Sequence, residues 1–203
     1  MARPRTDIAP RILHAARDRF LHDGVDGASL RAIARDAGTS IGMLYYYHPT
    51  KDDLFLAVVE EVYAGLLVDL TAALAPDAPV DQRIRRAFDR LGAVTDEEVT
   101  VLRLVVREAL VSSPRLERLL ERFRRGHLPL LLSTLADGMR EGAIDPRRPL
   151  PVVLIATLAM GGLPQLIRRR AGHLAPFAAL PAPPELASLL IDMLFHGIAP
   201  PRD

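Results

Sequence analysis

The chain has no cysteine and no tryptophan, and of its 26 basic residues only Lys51 is a lysine. Without cysteine there is no disulfide framework, no thiolate nucleophile and no thiolate metal site. Six histidines are present, but no two of them stand four apart, the spacing that would pair them on one helix face as metal ligands. No Gly-rich loop follows a strand, because no segment alternates with a strand's period of two. The first residues, Met-Ala-Arg-Pro-Arg-Thr-Asp, lack the apolar run of a signal peptide. The longest apolar stretch, Leu150 to Ile167, is about the shortest that could span a bilayer. It contains Pro151, Pro164, Gln165 and a Gly161-Gly162 pair, so it is expected to be a buried helix of a soluble, cytoplasmic protein with no membrane partner. No cofactor and no metal are expected, and the catalytic inventory does not point to an enzyme. Acidic pairs such as Glu60-Glu61 and Glu97-Glu98, and the runs Arg124-Arg125 and Arg168-Arg169-Arg170, read as solvated helix surface.

Abundant instead are 33 Leu, 28 Ala and 25 Arg, all strong helix formers. The fold is predicted to be all-α, with about nine helices that proline and glycine divide. The spacing predicts helices from about Thr6 to His22, from Ser29 to Gly38, from Ser40 to Tyr47 and from Lys51 to Leu74. Later ones are expected over 80–94, 97–111, 114–141, 149–171 and 183–197. Asp23-Gly24 should end the first helix, and Val25 to Ala28 should be a loop. Ser29 and Ser40 are good N-caps, and Pro49 must stop the third helix. Residues 1–51 carry 8 basic and 5 acidic side chains and the remainder 18 and 20, so a basic head precedes a faintly acidic body.

Two short helices around Gly38 have the pattern of a helix-turn-helix. Ile33 and Leu44 supply the contacts between them, and Ala34 lets them approach. The second helix then has Ser40, Ile41, Gly42 and Met43 at its start, where a recognition helix enters the major groove. Tyr45, Tyr46 and Tyr47 are three of only four tyrosines and stand just before the single lysine. Tyrosine hydroxyls can reach phosphate while their rings lie on sugars or a thymine methyl, and Lys51 at a helix start can hold a phosphate. A helix pair packed for its own sake would show much of the same pattern, so the residues alone leave DNA binding open.

The stretch from Ile12 to about Leu54 resembles the tetracycline-repressor (TetR) family. The resemblance is carried by Ile12, Ala15-Ala16, Phe20, Gly24, Ser29, Ile33-Ala34, Ala37-Gly38, Ser40, Leu44-Tyr45 and Lys51-Asp52-Asp53-Leu54. It implies a homodimer with a DNA-binding domain over 1–51 and a ligand-binding and dimerisation domain over 52–203. The implied DNA contacts are Ser29, Arg31, Ser40, Ile41, Gly42, Met43, Tyr45, Tyr46, Tyr47 and Lys51. Two positions depart from the family pattern: His48 stands where Phe is usual and Thr39 where Val is usual. His48 is expected to be a neutral imidazole with a backbone partner; the alternative is that its protonation loosens the head and lowers operator affinity as pH drops.

In the body, Leu116, Leu119, Leu120, Phe123, His127, Leu130 and Leu131 are expected on one broad face of a single helix kinked by Pro129. A kink there could open an apolar pocket lined by Phe88, Leu104, Phe123, His127, Leu131 and Met160; an ordinary core would use the same residues. Leu186, Leu189, Leu190, Met193 and Leu194 recur at helical spacing, and the family resemblance implies that they lie at the dimer interface; a purely intramolecular core would produce the same pattern. The expected function is a repressor on a double-stranded, palindromic operator, released by a small, largely apolar effector. The alternatives are an all-helical enzyme or carrier with a vestigial head, and a DNA-binding adaptor that responds to a protein partner.

Overall fold

The computed structural model describes residues 8–111 and 114–197, and the expected start of the first helix at Thr6 lies outside them. Ten α-helices and no strand are found among the described residues, so the chain is all-α. They are α1 (Ile8–Gly27), α2 (Leu30–Asp36), α3 (Ile41–Tyr47), α4 (Lys51–Ala73) and α5 (Val80–Gly92), then α6 (Asp96–Val111), α7 (Pro114–Arg124), α8 (His127–Arg140), α9 (Leu150–Ala171) and α10 (Pro183–His196). They form two compact units, one of 1–65 with 96–122 and one of 66–95 with 123–203, so α4 contributes to both.

The first unit holds the helix-turn-helix. α1 buries Ile12, Ala15, Ala16 and Phe20, a stripe of one helical face. Gly24, at φ +76°, interrupts the helical path, and the segment expected as a loop closes α1 with a further turn. Phe20 meets Phe55 of α4 edge to face, with ring centroids 6.1 Å apart, in the geometry aromatic quadrupoles favour. Ile33, Leu44, Leu54 and Val58 complete a fully buried centre.

The turn between α2 and α3 passes through Gly38 at φ +63°, a conformation that costs other L-residues. The Arg11 guanidinium donates to the Ala37 and Gly38 carbonyls, satisfying groups that the end of α2 leaves open. The Ser29 and Ser40 hydroxyls accept from Ala32 N and Met43 N, as expected of N-caps. Thr50 caps α4: its Oγ1 accepts from Asp53 N at 3.0 Å and donates to the Asp53 carboxylate at 2.7 Å.

The second unit is built around α5, whose Val80, Ile84, Ala87 and Phe88 pack in one core with Leu135, Leu186, Ala187 and Ile191. Buried Arg83 donates to Leu74 O at the end of α4, to Thr134 Oγ1 at 2.9 Å and to Asp137 at 2.7 Å. It therefore caps α4 from inside the core. Gly161 of α9 lies so near Phe88 that an added Cβ would come within 2.8 Å of its ring.

Five expectations are corrected here. The single helix over 114–141 is two helices, because Gly126 (φ −113°, ψ −116°) breaks it. Pro129 falls in the first turn of α8, where a missing N–H removes no helical bond, so it does not kink anything. With the helix broken, Leu119 is buried, Leu120 is exposed and the broad common face does not form. α9 is long and apolar enough to cross a membrane, and it is not a buried helix either: 17% of its apolar window is buried. Its core strip is Thr157, Gly161 and Gln165, while Val152, Ile155, Leu158 and Leu163 are exposed. Finally, Glu60 and Glu97 are not simply solvated, since they accept from Arg122 and Arg17.

Candidate nucleic-acid interface

α3 is seven residues long and only Leu44 of it is buried. That one anchor, with the Ser40 cap, orients the rest outward. Tyr45 is 50% and Tyr46 78% exposed. Tyr47 is half-buried and meets the Tyr46 ring edge to face at 5.4 Å. Ser40 and Gly42 are exposed, and Ile41 and Met43 half-buried. On α2, Ser29 and Arg31 are exposed, and Arg31 has no hydrogen bond or ion pair among the described residues. Large exposed aromatics beside a closed core have no packing reason to be there.

Lys51 starts α4, and its Nζ donates to the Asp26 carbonyl at 2.7 Å. That bond holds the ammonium at the junction of the α1 end and the α4 start. Asp26 is itself held from behind. Its carboxylate accepts from Arg115 Nη2 at 3.0 Å, and Arg115 also donates to Asp52 at 3.0 Å and to Glu108 at 2.8 Å. Arg115 and Glu108 are both buried. Burial works against the guanidinium charge, but hydrogen bonds to Asp26, Glu108 and Asp52 outweigh it and raise the Arg115 pKa. The same Arg115 bond, helped by the Lys51 charge, holds the Asp26 carboxyl below the usual carboxylate range.

Farther along α7, Arg118 pairs with Asp53 at 2.8 Å. Arg122 donates twice to Glu60 and lies 4.7 Å over the Tyr63 ring. Residues 115, 118 and 122 thus form one basic stripe along α7, matched to acidic residues of α4. Sequence reasoning missed this stripe, although its i, i+3, i+7 spacing was there to be read. The Thr50 hydroxyl, then Arg118, keeps the Asp53 carboxyl low.

His48 follows α3 as its C-cap, with its backbone N–H bonded to Leu44 O. Its Nε2 is buried without a hydrogen-bond partner, which corrects the expected partnered imidazole. Burial lowers its pKa, against a smaller opposite effect of the Asp53 charge.

The residues proposed for a pocket are dispersed. Leu104 is buried in the first unit, whereas Phe88, Phe123, His127, Leu131 and Met160 belong to the second. Phe88 and Leu131 are buried, Met160 packs half-buried on the core, and the Phe123 and His127 rings meet at a tilt of 53° with centroids 5.1 Å apart. Of the α10 stripe, Leu186 and Leu190 are taken into the chain's own core. Leu189 and Met193 are exposed, and Leu194 is half-buried. Among the described residues no cluster of three or more side chains could hold a metal ion.

Residues 12–58, the segment that contains this arrangement, match the family model of bacterial regulatory proteins, tetR family. That segment is a tetR-family segment. The chain is 28% identical to the HTH-type transcriptional repressor SCO4008 of Streptomyces coelicolor over 163 residues, which cover 78% of this chain and 80% of that one. It is 30% identical to the transcriptional regulator RutR of Escherichia coli over 141 residues, 68% of this chain and 65% of that protein. The fold is that of FadR from Bacillus subtilis, solved in complex with stearoyl-CoA, with a TM-score of 0.72, 18% identity and coverage of 94% and 99%. These relatives are transcriptional regulators.

Proposed function

We propose that this regulator is a cytoplasmic, homodimeric repressor that binds a palindromic operator and is released by a small, largely apolar effector. The carrying observation is the exposure of Tyr45 and Tyr46 on a capped, single-anchored α3, followed by Lys51 at the start of α4 with its ammonium held on the Asp26 carbonyl. Residues 1–51 serve as the DNA-binding domain and 52–203 as the ligand-binding and dimerisation domain. Ser40, Ile41, Gly42 and Met43 face base edges. Ser29, Arg31, Tyr46, Tyr47 and Lys51 position the backbone, where most of the affinity arises, and Tyr45 reaches a sugar or a thymine methyl with its ring.

A second copy is the partner of the open apolar face. Val152, Ile155, Leu158 and Leu163 of α9, with Leu189 and Met193 of α10, make an exposed apolar surface of the kind that marks an interaction site. The inner strip of α9 is already committed to its own core, which favours a protein partner over lipid. A two-fold axis there gives two heads and a palindromic site.

The effector acts by favouring a dimer whose head spacing no longer matches DNA. Ligand and operator then oppose each other by a coupling of about 1–3 kcal/mol. Phe123, His127 and Met160 are the first positions to test for effector contact. A long acyl chain is a class worth trying, because FadR is solved with stearoyl-CoA. The test is retardation of DNA upstream of the protein's own reading frame. The parent should bind with steep salt dependence, and Lys51→Ala and Tyr46→Ala should bind much more weakly. A parent that retards no DNA refutes the proposal and leaves the carrier reading, in which the head is vestigial.

A further inference from the structure

The recognition helix is unusual in what it cannot do. From Ser40 to Tyr47 it reads Ser-Ile-Gly-Met-Leu-Tyr-Tyr-Tyr, without a guanidinium, ammonium, carboxamide or carboxylate. In the major groove guanine is read best by Arg or Lys, adenine by Asn or Gln and cytosine by Asp or Glu. α3 offers none of these. Thymine alone is read by apolar contact, through its C5 methyl group.

The structure narrows the readers. Leu44 is buried in the head, and Ser40 Oγ already accepts from Met43 N at 3.2 Å. Ile41, Met43 and Tyr45 remain partly or half exposed with apolar surface to offer.

Gly42 is a second, independent observation. A Cβ placed there would meet only Ser40 Oγ, at an ordinary 3.8 Å, so nothing in the protein requires glycine. Glycine is a poorer helix former than alanine. An exposed helix that gives up a side chain without an internal reason is suited to lying close against another surface. It would bring the apolar side chains of Ile41 and Met43 down to the base pairs.

We propose that α3 selects its half-site by thymine methyl groups, with Ile41, Met43 and Tyr45 as the reading side chains and Gly42 permitting the approach. Hydrogen bonds from α3 to guanine or adenine edges are not the source of its specificity. This rests on the DNA-binding reading above and names the sequence class that reading leaves open.

The experiment starts from operator DNA selected from random fragments by the full-length protein. Each thymine of one half-site is then replaced by deoxyuridine, which lacks the methyl and keeps every hydrogen-bonding group. Binding should weaken about threefold to fivefold at each methyl that is read, the effect of uncovering roughly one methylene-sized apolar group. Met43→Ala or Ile41→Ala should lose that sensitivity at one position while remaining folded by circular dichroism. Gly42→Ala should raise the melting temperature and weaken operator binding. A half-site fully replaced by deoxyuridine and bound as tightly as the thymine site overturns the inference, as does loss of binding on 7-deazapurine replacement alone. If no fragment is selected at all, the DNA-binding reading itself fails, which is a different result.

Discussion

Replacing Arg115 by methionine isolates the buried charge that ties the α1 end and the α4 start to α6 and α7. Its guanidinium is bonded to Glu108, Asp52 and Asp26 at 2.8–3.0 Å, and of these only Glu108 is itself buried. The carboxylates of Asp26 and Asp52 keep contact with water, so their bonds lie nearer the surface class that contributes about 0–1 kcal/mol. The buried pair is different, because Arg115→Met leaves the Glu108 carboxylate in the interior without its guanidinium. Removing one partner of a buried pair costs about 3–5 kcal/mol. Against a total stability of about 5–15 kcal/mol this is a large part of what holds the protein folded. Urea unfolding followed by circular dichroism measures it. Arg115→Met should lose about 3–5 kcal/mol, and the double variant Arg115→Met with Glu108→Leu should recover most of the loss, because two apolar groups leave no charge to bury. Arg118→Met, which breaks an exposed pair with Asp53, should lose under about 1 kcal/mol. A loss below about 1 kcal/mol for Arg115→Met, or no recovery in the double variant, refutes the reasoning.

Four further outcomes are expected. The His48 pKa lies below its ordinary 6.5 through burial, so the unfolded chain binds the proton more readily. The head then has its full stability above that value and loses it as pH falls from there through the folded pKa. Operator affinity should decline over the same range, and His48→Phe should flatten both profiles; equal profiles for the two proteins contradict this. Lys51→Ala should weaken binding of every DNA sequence alike and reduce the salt slope by about 1, read from titrations at several salt concentrations. Gly38→Ala, at φ +63° and beside Arg11, should destabilise the protein by about 1–2 kcal/mol in urea. Ile155→Arg with Leu163→Arg, both on the exposed side of α9, should give a folded monomer by light scattering, whereas an unchanged mass places the partner face elsewhere.

Local chemistry was readable where it acts locally. The Ser29 and Ser40 caps, the Gly38 turn and the apolar stripe Ile12 to Phe20 each need only neighbouring residues, and they lie where the sequence places them. The break between α7 and α8 was misread because proline is the stronger breaker in a helix interior. In a first turn its cost disappears, and then the glycine at 126 decides. Long-range partners were not legible. Nothing near Arg83 in sequence announces Thr134 and Asp137, and nothing near Arg115 announces Asp26. The α10 stripe was legible as a stripe but not as two sides. Periodicity shows that Leu186, Leu189, Leu190 and Met193 share a face. It does not show that α5 covers Leu186 and Leu190 and leaves Leu189 and Met193 open.

The single lysine gains meaning from this structure: its ammonium is held by the carbonyl of a residue whose carboxylate is held by Arg115. Whether this head grips DNA is answered most directly by incubating the purified protein with random double-stranded fragments, sequencing what it retains and weighing the complex. The account predicts one enriched sequence with two-fold symmetry, bound by two copies of the chain. Retained DNA with no enriched sequence, or an enriched site without symmetry bound by one copy, would contradict it.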